Sequence, residues 1–180
     1  RHTSPVNLIG SLMDGLTRQR IEVDMIRFAG PAFAGVDNRL MALQLVEQGL
    51  TDAAMFTAEG ESVIPSEMLY KKPVLVERGG FRPITNPMLD MLDRAHEQFM
   101  QEKALAGEMP VTLMEMTLRQ LQVGDVIDHG DFLDRVDMLG ALKKPVLISN
   151  FRRYHRLVQY LSRHTQKMIG LPLGLARLRD

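Results

Sequence analysis

The sequence predicts an α/β fold: an open, doubly wound, Rossmann-like sheet of about six mostly parallel strands alternating with helices. Three observations predict it. Short β-branched apolar runs alternate with stretches of helical periodicity along the whole chain. The runs at residues 74–77, 111–116 and 146–149 are nearly continuous in apolar residues, as strands buried on both faces are. Helices between such strands imply right-handed parallel crossovers. A section of a β/α barrel shares this pattern and stays open as an alternative, although six units are too few for a complete eightfold barrel.

Ser4-Pro5 reads as an N-cap followed by proline at the first helical position, and Leu8, Ile9, Leu12, Met13 and Leu16 follow at helical spacing. Residues 23–28 are the first strand candidate. Asp37 and Asn38 open a helix carrying Leu40, Leu43, Val46 and Leu50, with Gly49 near its end. Residues 53–57 are the second strand. A short helical turn near residues 66–70 precedes the third, and a hairpin between residues 61 and 70 is an alternative that makes one strand pair antiparallel. Asn86-Pro87 opens a helix to about Lys103, with Leu89, Leu92, Ala95, Phe99 and Met100 on its apolar face. Residues 111–116 form the fourth strand. Asp128 and Asp131 cap a helix bearing Phe132, Leu133, Val136 and Leu139. Residues 146–149 are the fifth strand, a helix follows from Tyr154, and residues 168–173 are the sixth. Lys71-Lys72-Pro73-Val74 and Lys143-Lys144-Pro145-Val146 nearly repeat, either as an internal repeat or as the same helix-to-strand junction used twice.

The 180 residues suit a single domain, able to bury roughly 70% of the surface its unfolded chain exposes. Lys plus Arg number 22, as do Asp plus Glu, so no cationic excess marks the chain as a nucleic-acid binder. There is no cysteine, which excludes disulfides, thiolate nucleophiles and Cys-based zinc sites and fits a cytoplasmic protein. No apolar run approaches the roughly 20 residues of a membrane helix. The first residue is Arg1 rather than Met, so the chain is expected to be one portion of a longer protein.

In parallel α/β folds ligands bind beyond the carboxyl ends of the strands. The segment after the third strand is the sharpest candidate. Gly79 and Gly80 let backbone approach a ligand, Arg78 and Arg82 offer guanidinium forks for phosphate or carboxylate, and a helix begins at Asn86. A tight turn whose arginines pair with Glu77 and Glu115 is the competing reading. Glu115, between two methionines, is either a general base or an arginine's partner. Asn150 and Arg152 repeat the pattern after the fifth strand, and Asp37 and Asn38 form a secondary ligand loop after the first. Asp128-His129-Gly130-Asp131 is explained by capping, and no metal site is expected. No Gly-x-Gly-x-x-Gly, Walker or Gly-x-Ser-x-Gly pattern occurs.

Several stretches carry a resemblance: Phe28-Ala29-Gly30-Pro31-Ala32-Phe33, Glu77-Arg78-Gly79-Gly80-Phe81-Arg82-Pro83, Asp131-Phe132-Leu133-Asp134-Arg135-Val136-Asp137 and Leu147-Ile148-Ser149-Asn150, with residues 35–41, 50–56 and 69–73. They resemble a family of longer bacterial proteins described either as nicotinate-nucleotide adenylyltransferases or as TonB-dependent receptors. The first description implies an α/β fold, a nucleotide ligand and, for nucleotidyl transfer, magnesium. That class's early His-x-Gly-His motif does not occur among the five histidines, and Ile148-Ser149-Asn150-Phe151-Arg152-Arg153 only loosely resembles its later phosphate motif. The second description implies an outer-membrane barrel of strands about ten residues long with alternating polarity, unlike the short continuous runs here.

The resulting expectation is an enzyme domain that binds a nucleotide or other phosphorylated metabolite, with Arg78, Arg82 and Arg152 holding the anion, Asn150 orienting it and Glu115 as acid or base. The alternative is a non-catalytic assembly or regulatory module of a larger protein, and a third reading is a helix-mediated homodimer. Neither nucleic acid nor membrane is expected as a partner.

Overall fold

The structure, a computed structural model, describes residues 4–12, 14–15 and 20–173. It is mixed α/β: a six-stranded, mostly parallel sheet flanked by helices, open at both edges rather than closed into a barrel. The strands are β1 (Ala53–Phe56), β2 (Ser62–Val63), β3 (Val74–Arg78), β4 (Val111–Thr117), β7 (Val146–Ser149) and β8 (Ile169–Gly170). Their order is β2-β1-β7-β4-β3-β8. The pairs β3–β4, β4–β7 and β3–β8 are parallel, whereas β1 runs antiparallel to β7 and forms a hairpin with β2. A separate two-stranded hairpin joins β5 (Gln122–Val123) to β6 (Val126–Ile127).

Strand periodicity decides which side chains face which layer. Ala54, Phe56, Met114, Met116, Val146 and Ile148 pack on one face under α2 (Asn38–Glu47), α4 (Asn86–Met100) and α6 (His129–Ala141). Their neighbours Ala53, Met55, Val74, Val76, Leu113 and Leu147 pack on the other, under α3 (Pro65–Leu69) and α7 (Tyr154–Leu161). Burial from both sides explains why β3 and β7 are apolar for most of their length and buried throughout.

The crossovers fix this layering. The chain steps from β3 to β4 to β7 in one direction and then returns from β7 across the sheet to β8. Right-handed crossovers in opposite directions put their helices on opposite faces, so α4 and α6 share one side and α7 takes the other.

The helix-start signals hold where a side chain reaches the first turn. Asp37 accepts from the Arg39 amide at 2.9 Å and Asp128 from the Asp131 amide at 3.1 Å. Ser4 precedes α1 (Pro5–Ser11) without a side-chain cap bond, and Met13 and Leu16 lie outside the described residues. α4 stops at Met100, and Lys103 opens a separate 3-10 turn. In the near-repeat, Lys71 and Lys143 both take left-handed φ, +54° and +56°, just past α3 and α6. Each ends its helix in the same way, and the following Pro73 and Pro145 carbonyls accept from Val111 and Met114 at 2.9 Å. The two stretches share one junction geometry.

Two expectations are corrected. Residues 23–28 form no strand. Val23, Ile26 and Phe28 pack with Ile9, Met41 and Leu45 against α1 and α2. The Asn38 amide grips this segment, accepting from the Phe28 N–H at 2.7 Å and donating to its carbonyl at 3.1 Å. The sixth strand shrinks to Ile169–Gly170 because Pro172 cannot donate to a ladder.

Candidate functional site

β4 and β7 are adjacent, yet the helices that follow them, α6 and α7, lie on opposite faces. The carboxyl ends of this pair are therefore the topological switch point, where an open α/β sheet leaves a crevice. The larger of the two pockets described here lies there, with a volume of about 1010 Å³. Arg78 at the end of β3 lines it. One wall is Thr117, Leu118, Arg119, Gln120 and Gln122 after β4, and the other is Asn150 through His155 after β7.

The floor is an ion pair. Register places Arg78 opposite Glu115, and both side chains point to the α7 face. Arg78 donates through Nε to Glu115 Oε2 at 2.6 Å and through Nη2 to Oε1 at 2.8 Å. The Ser149 hydroxyl donates to Oε1 at 2.6 Å, and the guanidinium stacks on Tyr154 with its carbon 4.4 Å from the ring centre. Glu115 has no exposed surface, while Arg78 keeps a small exposed fraction on the cleft. This bidentate geometry holds the guanidinium plane in place.

The walls are cationic, and among the described residues no carboxylate lines the cleft. Arg119, Arg152 and Arg153 are exposed and form no ion pair with any described residue, as is also true of Arg94 and Arg156 outside the cleft, whereas Arg27, Arg39, Arg82, Arg135 and Arg163 each do. Arg119 rides on α5 (Leu118–Leu121), whose start is a capping box. The Gln120 side chain accepts from the Thr117 amide at 2.9 Å, and the Gln120 amide donates to Thr117 Oγ1 at 3.3 Å.

Of the residues singled out from sequence, the cleft brings together Arg78, Asn150 and Arg152, with Glu115 enclosed beneath Arg78. The Asn150 amide is held by the Asp52 carbonyl at 2.9 Å. Gly79, Gly80, Arg82 and Asn86 do not line it. Gly79 is required by packing: a Cβ there would lie 2.8 Å from the Phe81 ring, which folds back over it. The Gly80 carbonyl accepts from the buried Arg135 at 2.8 Å. Arg82 is 57% exposed and pairs with Asp131 at 3.1 Å, and Asn86 is exposed at the first turn of α4.

Asp37 and Asn38 lie at the far edge of the sheet. β1 is antiparallel to β7, so the β1–β2 turn sits beside the start of β7, and Arg39 packs against Gly60 in that turn. Hydrogen bonding to Arg39 holds the Asp37 carboxyl below its ordinary value. Both residues serve local structure here, as a helix cap and as the clasp on Phe28. Arg119, Gln120 and Gln122 were missed, although Thr117-x-x-Gln120 straight after an apolar strand is a legible capping-box signal. Among the described residues no cluster of His, Asp and Glu is placed to hold a metal ion, and no helix is long and apolar enough to cross a membrane.

Fold and cleft together define an α/β protein with a cationic pocket at the switch point of its sheet. No protein-family model, curated protein or solved structure matches the chain.

Proposed function

We propose that the switch-point cleft binds a phosphorylated small molecule. The observation that carries this reading is the set of exposed arginines Arg119, Arg152 and Arg153 around a cleft with no carboxylate among its described lining residues. Three uncompensated cations around one concavity, in a chain of zero net charge, favour an anion held by charge-assisted hydrogen bonds. Arg78, Asn150, Gln120 and Gln122 supply further donors. Glu115 serves as the anchor of Arg78, since both its oxygens are engaged and neither reaches the cleft.

The test is a thermal-shift titration with phosphate, sulfate, ATP and nicotinamide mononucleotide on the wild type, Arg152→Ala and Arg82→Ala. Ligand at 100 times its Kd adds roughly 2.7 kcal/mol of stability. The expected outcome is a shift that Arg152→Ala loses and Arg82→Ala keeps. A shift lost only in Arg82→Ala would move the site to the loop after β3, and no shift with any ligand would end the phosphate reading.

A second reading, an assembly module, is favoured by the β5–β6 hairpin, where Val123 and Val126 are 58% and 71% exposed beside the cleft. Self-association through it would appear as a molar mass above 20.4 kDa in light scattering, reverting to monomer in Val123→Ser/Val126→Ser.

A further inference from the structure

We propose that the ligand of this cleft carries at least two linked phosphates and is bound as the metal-free anion. The inference rests on the phosphate reading above and narrows it to a ligand class. The cations do not come from one loop: Arg78 ends β3, Arg119 follows β4, and Arg152 and Arg153 follow β7. They thus stand on the floor and on both walls of the crevice. A volume of about 1010 Å³ is at the top of the roughly 300–1,000 Å³ that small-molecule sites span, so the cleft holds a whole metabolite rather than a lone phosphate. Arg78 is largely neutralised by Glu115, which leaves three exposed arginines to be balanced by the ligand. A singly phosphorylated ligand, with charge near −2, leaves that set under-compensated, whereas a diphosphate or longer chain matches it.

The same lining argues for the metal-free form. Diphosphates commonly enter protein sites with magnesium held by one or two carboxylates. The described cleft lining has none, and its arginines occupy the role of the cation. Magnesium already bound to the phosphate chain would remove the charge that the arginines recognise.

The experiment is calorimetric titration of the chain with orthophosphate, pyrophosphate and tripolyphosphate at constant ionic strength, in chelator and then in excess magnesium. In chelator, affinity should rise by about tenfold from orthophosphate to pyrophosphate and rise again for tripolyphosphate. Excess magnesium should weaken both condensed phosphates. Arg119→Ala and Arg152→Ala should each lose about tenfold for pyrophosphate, and less for orthophosphate. Arg94→Ala, an exposed arginine outside the cleft, should lose nothing. All three side chains are exposed, so unchanged melting without ligand confirms that the variants fold. Orthophosphate binding as tightly as pyrophosphate, or magnesium tightening either condensed phosphate, would overturn this inference and leave the phosphate site standing. An Arg94→Ala loss equal to that of the cleft variants would overturn both, as would no binding of any phosphate to the folded wild type.

Discussion

Arg78 and Glu115 are the residues on which the candidate site depends, because a buried charge is tolerated only with its partner. With Glu115 fully enclosed and Arg78 7% exposed, removing one partner strands the other. Glu115→Ala should therefore destabilise the protein by about 3–5 kcal/mol. It also leaves the Ser149 hydroxyl without its acceptor. The double replacement Arg78→Met/Glu115→Leu should cost less than the sum of the single changes, since no lone charge remains. Urea unfolding of the wild type, Arg78→Met, Glu115→Leu and the double variant measures this, and simple additivity would show that the pair is not coupled. The pair was half legible from sequence. Glu115 among methionines announced a partner, but choosing Arg78 over Arg82 needed the β3–β4 register, which no local pattern carries.

At the scale of elements, α6 shows how packing overrides propensity. Gly140 sits near the end of this helix, and alanine there would ordinarily gain about 1 kcal/mol. A Cβ at Gly140, however, would lie 2.4 Å from the Ala58 backbone carbonyl in the β1–β2 turn. The contact is with backbone, so α6 or the turn must shift, at a cost of about 1–3 kcal/mol. Gly140→Ala should be net destabilising, seen as a lower Tm in calorimetry, and an unchanged or higher Tm would mean the turn yields easily. The helix itself was legible from its Asp128 cap and apolar spacing. The turn against which it rests was not, because Ser62–Val63 is too short to signal a strand.

At the scale of the whole molecule, Glu22 in the segment before α2 lies 4.0 Å from Arg163 just past α7, and the adjoining His164 should make stability respond to pH. His164, just past α7, packs edge-on against Tyr160 at 4.8 Å, with its Nε2 buried and without a hydrogen-bond partner. Burial lowers its pKa below the usual 6.5; Asp24 is the strongest opposing influence, and Arg163, which lowers it, and Glu22, which raises it, contribute less. The folded state thus favours neutral imidazole. Its stabilisation is fully present above pH 6.5 and is lost as pH falls through the lowered folded value. Tm should drop between pH 7 and pH 5, and His164→Phe should flatten that drop. An equal fall in the variant would assign the pH dependence to other groups.

The sequence by itself determined the fold class, the helix starts at Asp37 and Asp128, the helix stops at Lys71 and Lys143, and the doubly buried strands. Each of these rests on interactions between residues a few positions apart, or on a periodicity that repeats within one element. Only the tertiary structure decided that residues 23–28 stay out of the sheet, that β1 runs antiparallel, and that the cleft opens between β4 and β7. Those outcomes depend on contacts between distant segments and on the direction in which each crossover turns. The cleft is the clearest case: Arg78, Arg119 and Arg152 are 41 and 33 positions apart in sequence, and only strand order makes them neighbours.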